Sequence, residues 1–292
     1  MKIVNNLSRR LWNIGFCDYT PEELIKNRSL RAIKWMRHPY KDRWFADPFL
    51  FKVTDNAITV FVEEYSYSTR KGIICELEID RKSMKLCQRR ELLSLNTHLS
   101  YPIWIRSEGR VYMYPENGEA NLLTMYEYNE ETHKLIKPKV ILNDAVADSS
   151  IIKCGGGYYL VATKYPNTEK ELYLYTSHCF DGPYVLVSND PVQTDWSHSR
   201  PGGKWFSIDS QLYRPAQNCR GGYGRNLSIM STTISESSMS ETECFKIEPH
   251  SFKYNLGLHT INFLDGICVI DGHGYKYPVM GRVLDLMRKL HS

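Results

Sequence analysis

The chain carries little excess charge: 37 basic against 33 acidic residues leave a formal net charge of +4 over 292 residues. That excludes the strongly basic surface of a dedicated nucleic-acid binder. No apolar run approaches the length of a membrane span, and the opening residues MKIVNNLSRRLW lack the apolar core of a secretion signal. The eight cysteines (Cys17, Cys75, Cys87, Cys154, Cys179, Cys219, Cys244 and Cys268) include no Cys-x-x-Cys pair, and no histidine stands at zinc-finger spacing from them. No metal site and no cofactor is therefore expected, and reduced, buried thiols point to the cytoplasm. The glycine-rich turn Cys219-Arg220-Gly221-Gly222-Tyr223-Gly224 lacks the Lys-Ser/Thr of a phosphate-binding loop.

What is present is a repeat. Ala46-Asp47-Pro48-Phe49-Leu50-Phe51, Ser100-Tyr101-Pro102-Ile103-Trp104-Ile105 and Ala147-Asp148-Ser149-Ser150-Ile151-Ile152 each open on a small residue and run into an apolar strand. Each is followed by a turn and a second strand: Asp55-Asn56 then ITVFVEE, Glu108-Gly109 then VYMYPE, Gly155-Gly156-Gly157 then YYLVATK. Polar-tipped outer hairpins recur too, around Glu78–Lys82 and Glu127–Glu131. A unit of about 50 residues with four short strands is the size of one propeller blade.

Five such units predict an all-β, five-bladed propeller as a single domain over residues 1–292. Its blades fall near 40–95, 96–144, 145–195, 196–254 and 255–278, the last completed by 8–18. The N-terminal strand LWNIGF closes the ring and removes exposed sheet edges. A β-sandwich would explain the alternating strands but not the repeat. A C-terminal helix is predicted over 279–291, with apolar residues at 279/280, 283/284, 287 and 290. Packing under the propeller is its ordinary role; peripheral contact with a membrane is the sharper one.

In a propeller the innermost strands line a central channel, so Asp47, Tyr101, Asp148, Arg200 and His259 are expected around one pocket. Two carboxylates in such a cleft titrate apart, which suits glycoside chemistry. The plainer alternative for Asp47 is a turn-forming residue before Pro48. Glu116, at the end of a second strand, is a candidate acid, and Glu63 and Glu64 occupy a similar place in blade one. Arg200, Arg214, Lys164 and His259 would make the pocket partly cationic and suited to phosphate, unless they are consumed in structural ion pairs. Trp44, Tyr101, Trp104 and Tyr165 could stack on sugar rings, although most aromatics of a β protein are packing residues.

Trp44-Phe45-Ala46-Asp47-Pro48-Phe49-Leu50-Phe51 resembles the blade-one motif of the five-bladed glycosidases of families 43, 32 and 68. The resemblance implies that Asp47 is a base or nucleophile and that Asp148, in Ala147-Asp148-Ser149-Ser150, orients the acid. A closer resemblance covers nearly the whole chain. Trp12-Asn13-Ile14-Gly15, Tyr112-Met113-Tyr114-Pro115-Glu116, Arg200-Pro201-Gly202-Gly203 and Leu212-Tyr213-Arg214-Pro215-Ala216-Gln217-Asn218-Cys219 look like the N-terminal propeller of plant glucosamine inositolphosphorylceramide transferases. Bacterial proteins of surface-polysaccharide loci are similar. Where family 43 hydrolases have a fourth-blade Glu, this sequence offers Arg200 and Arg214. That departure favours a phosphorylated donor, a logic that resembles the mannoside phosphorylases.

The expected function is a glycosyltransferase or phosphorylase-like enzyme of surface polysaccharide or glycolipid synthesis, with a sugar or sugar phosphate as its partner. A glycoside hydrolase using Asp47 with Glu116, or a non-catalytic sugar-binding propeller, are the alternatives.

Overall fold

The computed structural model describes residues 8–235, 238–249 and 251–290. The chain opens with β1 (Arg10–Asp18), a short helix α1 (Pro21–Asn27) and β2 (Lys34–Trp35). Helix α1 starts where Thr20 and Glu23 form a reciprocal capping box, with Pro21 preset for the first turn.

Four meanders follow. Blade one is β3 (Arg43–Val53), β4 (Ala57–Ser66), β5 (Lys71–Asp80) and β6 (Leu86–Leu93). Blade two is β7 (Trp104–Ser107), β8 (Arg110–Met113), β9 (Leu123–Asn129) and β10 (Lys134–Leu142). Blade three is β11 (Val146–Cys154), β12 (Gly157–Lys164), β13 (Glu171–Ser177) and β14 (Val185–Leu186), with β15 (Gln193–Thr194) also on β13. Blade four is β16 (Phe206–Ile208), β17 (Gln211–Asn218), β18 (Asn226–Ile234) and β19 (Met239–Ile247).

The fifth blade joins the two ends of the chain. Its order is β20 (Ile261–Leu264), β21 (Ile267–Tyr275), β1, β2. Strand β1 pairs antiparallel with β21 from Arg10–Tyr275 to Asp18–Ile267, so the ring is closed by the N-terminal strand. The two-residue β2 lies outside β1, which makes β1 the third strand of its blade rather than the outermost.

Alternation along the strands buries both faces between neighbouring blades. Phe49, Trp104, Tyr114 and Leu160 belong to the cluster shared by blades one to three, and Ile14, Phe16, Phe45 and Val60 to that between blades five and one. Trp104 crosses from blade two to donate its indole N–H to the Leu50 carbonyl at 2.9 Å. Helix α2 (Pro278–Leu290) meets β21 where Gly281 lies against Tyr275 and where Asp285 accepts from the Tyr275 hydroxyl. Its Val279, Val283, Leu286, Met287 and Leu290 are exposed, so packing under the propeller does not account for its apolar residues. Residue 291, the expected end of this helix, lies outside the described residues.

Candidate active site

The three repeated openers share one backbone conformation. Asp47, Tyr101 and Asp148 are left-handed, with φ of 48°, 47° and 49°. Around Asp47 and Asp148 the strand register slips, between Ala46 and Phe49 and between Ala147 and Ser150. Such bulges re-aim a side chain at the start of a strand. Asp47 and Tyr101 also precede prolines, where helical conformations are disfavoured. Non-glycine residues held this way cost about 1–3 kcal/mol each and concentrate at functional sites.

Acidic side chains hold these bulges in place. Asp271, on β21, accepts the Asp47 N–H at 3.1 Å and those of His259 and Thr260 at 3.0 and 3.1 Å. Asp47 in turn accepts the Tyr101 N–H at 3.1 Å and the Thr260 hydroxyl at 2.7 Å. Glu116 accepts the Asp148 N–H at 3.1 Å and the Tyr165 hydroxyl at 3.1 Å. Asp148 takes Arg200 Nε at 2.6 Å and Gln217 Nε2 at 2.5 Å, while Arg200 Nη2 stands 3.6 Å from Glu116. Five blades thus contribute to one network, as the repeat requires.

The network is almost closed to solvent, with Asp47 4% and Asp148 2% exposed. Burial raises Asp148 to about 7, with Arg200 opposing and Glu116 reinforcing the rise. Burial likewise raises Asp47 to about 6, against the pull of His259. Burial also lifts Glu63 to about 7. His259 moves the other way: burial pulls it down, but the carboxylates of Asp271 and Asp47 carry it up to about 9. Its Nδ1 is 2.5 Å from Asp271, and its ring stacks on Trp12 at 4.0 Å. At neutral pH the site therefore holds an imidazolium, a guanidinium and, in Asp148, a carboxyl group near the midpoint of its titration.

Asp47, Asp148, Glu116, Arg200 and His259 are brought together, with the Tyr101 N–H and the Tyr165 hydroxyl bonded to their carboxylates; Arg214, Lys164, Trp44 and Glu64 are held elsewhere. Arg214 is fully buried inside blade four, with Nε and Nη2 on Glu241 at 2.7 and 2.5 Å and further donors on the carbonyls of His198 and Ser199. Its fork is consumed, so it offers no phosphate ligand. Lys164 is paired with Asp144 at 2.7 Å. Tyr101 presents no face for a sugar, because its side chain is fully buried and its hydroxyl is tied to Gly203. Trp44 stacks on Tyr65 at 4.7 Å and lines a pocket together with Trp12 and Tyr40. Glu64 is held by Arg43 and Arg89.

The family described as glucosamine inositolphosphorylceramide transferase 1, N-terminal, matches residues 25–255, which include Asp47, Glu116, Asp148 and Arg200. The chain belongs to this family. Among proteins named glucosamine inositolphosphorylceramide transferase 1, that of Oryza sativa subsp. japonica is 30% identical over 200 residues, covering 65% of this chain and 26% of that protein. That of Arabidopsis thaliana is 27% identical over 213 residues, covering 70% and 28%. The chain thus spans about a quarter of the rice protein's length. Among solved structures, a family 117 glycoside hydrolase from Zobellia galactanivorans superposes with a TM-score of 0.58 at 9% identity, covering 89% of this chain and 90% of that one. A thermostable family-43 glycoside hydrolase gives 0.55 at 14%, covering 72% and 81%. These likenesses show the propeller fold of the glucosamine inositolphosphorylceramide transferase N-terminal family.

His259, Thr260 and Asp271 lie beyond the segment matched to that family, yet they complete the network. Asp271 and Gln217 were not legible as site residues. The available signal was the acid near the end of the second strand, which recurs as Glu63, Glu116 and Asp271. Asp47, His259 and Asp271 place ligand atoms within 4.8 Å of one another, the spacing of a cation site. The oxygens of Asp271 are already taken by three backbone N–H groups and His259, which fits a structural clasp better than a metal centre.

Proposed function

We propose that this protein is a carbohydrate-active enzyme that transfers a sugar from a phosphorylated donor. The observation that carries this reading is the pair of buried carboxylates, Asp47 and Asp148, set in matching bulges with Arg200 beside the second. Groups that titrate near the working pH are the ones suited to moving protons. Asp47 accepts the proton of an acceptor hydroxyl, and Asp148 orients the sugar. The donor's bond from carbon to phosphate oxygen breaks as the new glycosidic bond forms, and the phosphate leaves with the electron pair, met by Arg200. Arg214 has no part in this step. Orphaned polar atoms adjoin the carboxylates: Ser149 Oγ, Asn117 Oδ1 and Gln217 Oε1 have no partner among the described residues, which suits a polyhydroxylated ligand.

Hydrolysis is the second reading. It is favoured by Glu116, which joins the cluster from blade two and takes the place of the missing fourth-blade acid. Thermal shift against a panel of nucleotide sugars separates the two. Stabilisation that disappears in Arg200→Ala supports transfer. No response, together with release of sugar from an aryl glycoside that Asp47→Asn abolishes, sinks it in favour of hydrolysis. Neither response in any assay leaves a sugar-binding propeller.

The setting we infer is assembly of a surface polysaccharide or glycolipid at a cytoplasmic membrane surface. The free state of all eight thiols suits a reducing compartment. No helix among the described residues is long and apolar enough to cross a membrane. Helix α2 instead exposes an apolar face near Arg282 and Arg288, the composition of an interfacial helix. Co-sedimentation with phosphatidylserine vesicles, reduced several-fold in Leu286→Glu, is the expected outcome; equal pelleting of both proteins would remove the membrane from the picture.

A further inference from the structure

The inner strands carry the chain away from the acidic network. Trp104 comes three residues after Tyr101, past a tight turn, and Lys153 five after Asp148, past the bulge, so both lie further along the inner strands than the network. Between the two regions stands Tyr101. Its hydroxyl accepts the Gly203 N–H at 2.7 Å and donates to the Gly203 carbonyl at 3.1 Å, bracing blade two against the entry to blade four. Beyond this brace lies a second cavity of about 640 Å³, walled by blades two, three and four. That is within the size range of small-molecule sites, about 300–1,000 Å³.

Its chemistry is one-sided. Among the described residues no aspartate or glutamate lines it, whereas Arg106, Lys153 and Lys204 do. Arg106 already has Glu130 at 3.3 Å, and Lys153 lies over Tyr158. Lys204 is different. Its Nζ sits 3.3 Å from the centroid of the Trp104 ring, and burial alone holds its amine well below the usual lysine range. Among the described residues no carboxylate is placed to offset that burial. Trp205, which lines the same cavity, has an indole N–H that is buried without an acceptor. A desolvated amine gains from an anionic acceptor. Ile103, Ile151 and Leu212 add apolar wall, and Ser207 and Ser210 complete the lining.

We propose that this cavity is a second binding site, separate from the acidic network, for a small amphipathic anion: a carboxylate, sulfonate or phosphate on an apolar or planar body. The anion meets Lys204, and the body lies against the apolar residues of the wall. The site uses no residue of the network, so it stands whether or not the protein transfers sugars.

Fluorescence titration with anilinonaphthalene sulfonate, a planar apolar anion, tests the proposal on the full chain. Saturable binding is expected, with affinity lowered about tenfold or more in Lys204→Met and nearly restored in Lys204→Arg, as for loss of a charge-assisted contact. Uncharged phenyl-naphthylamine should bind about tenfold more weakly than the sulfonate. Ser207→Trp fills the cavity from an exposed position and should block the probe without disturbing folding. Equal affinity for charged and uncharged probes overturns the proposal. So does binding that survives both Lys204→Met and Ser207→Trp but is lost in Leu286→Glu, since the probe would then sit on helix α2.

Discussion

At the scale of single residues, burial sets the chemistry of this channel more than charge pairing does. Glu63 shows it most cleanly, because its carboxyl is raised to about 7 mainly by desolvation, with His98 at 3.2 Å only partly opposing. A carboxyl whose folded value lies above its unfolded one binds its proton more tightly when folded. Its contribution to stability is therefore fully present below about pH 4.5 and lost as pH rises through 7. Glu63→Gln stays neutral throughout and keeps that contribution. The variant should gain stability over the parent as pH goes from 5 to 8, up to about 3 kcal/mol. Chemical denaturation at the two pH values checks this, and a difference that does not change with pH refutes it. Asp47 and Asp148 could be picked from sequence because each opens a repeated strand, and a channel brings strand openers together. Arg214 could not be dismissed, because its partner Glu241 lies 27 residues away and meets it only once blade four has folded. Asp271 sat inside an ordinary apolar strand, ICVIDGH, where only its place near the end of a second strand, shared with Glu63 and Glu116, marks it.

At the scale of elements, the openers and the segment before β16 lock one another. Gly203 has φ of 144°, and a Cβ there would lie 2.0 Å from the Ile261 carbonyl oxygen. Both its backbone N–H and its carbonyl are also engaged by Tyr101. Gly203→Ala must therefore shift backbone, break the Tyr101 brace, or both. A loss of about 3 kcal/mol or more is expected, the range of strained and overpacked core changes. Urea unfolding reads it directly, and a cost below about 1 kcal/mol would mean the backbone there adjusts freely. The long strands β3, β4, β11 and β12 were legible because alternation and turn residues mark them. The two-residue strands β2 and β15 were not, since so few residues carry no period. The bulges escaped for another reason: a left-handed Asp or Tyr before proline contradicts local preference and is imposed by the acids of neighbouring blades.

At the scale of the whole molecule, the ring closes through one non-covalent seam, and everything else depends on it. The repeat made five blades legible, and the half-built fifth unit made the need for an N-terminal strand legible too. Strand β1 places Trp12, Ile14 and Phe16 in the interior while pairing along its length with β21. Three buried side chains of this size are worth roughly 5–9 kcal/mol in transfer free energy. The net stability of a whole domain is about 5–15 kcal/mol. A chain lacking residues 1–18 would also expose the edge of β21. It should therefore lose cooperative thermal unfolding and aggregate, and the network should fall with it, because Asp271 on β21 positions Asp47. A synthetic peptide of residues 8–20, added in trans, should restore a cooperative transition whose midpoint rises with peptide concentration. Cooperative unfolding of the shortened chain at the parent's midpoint would show that the remaining blades close without β1.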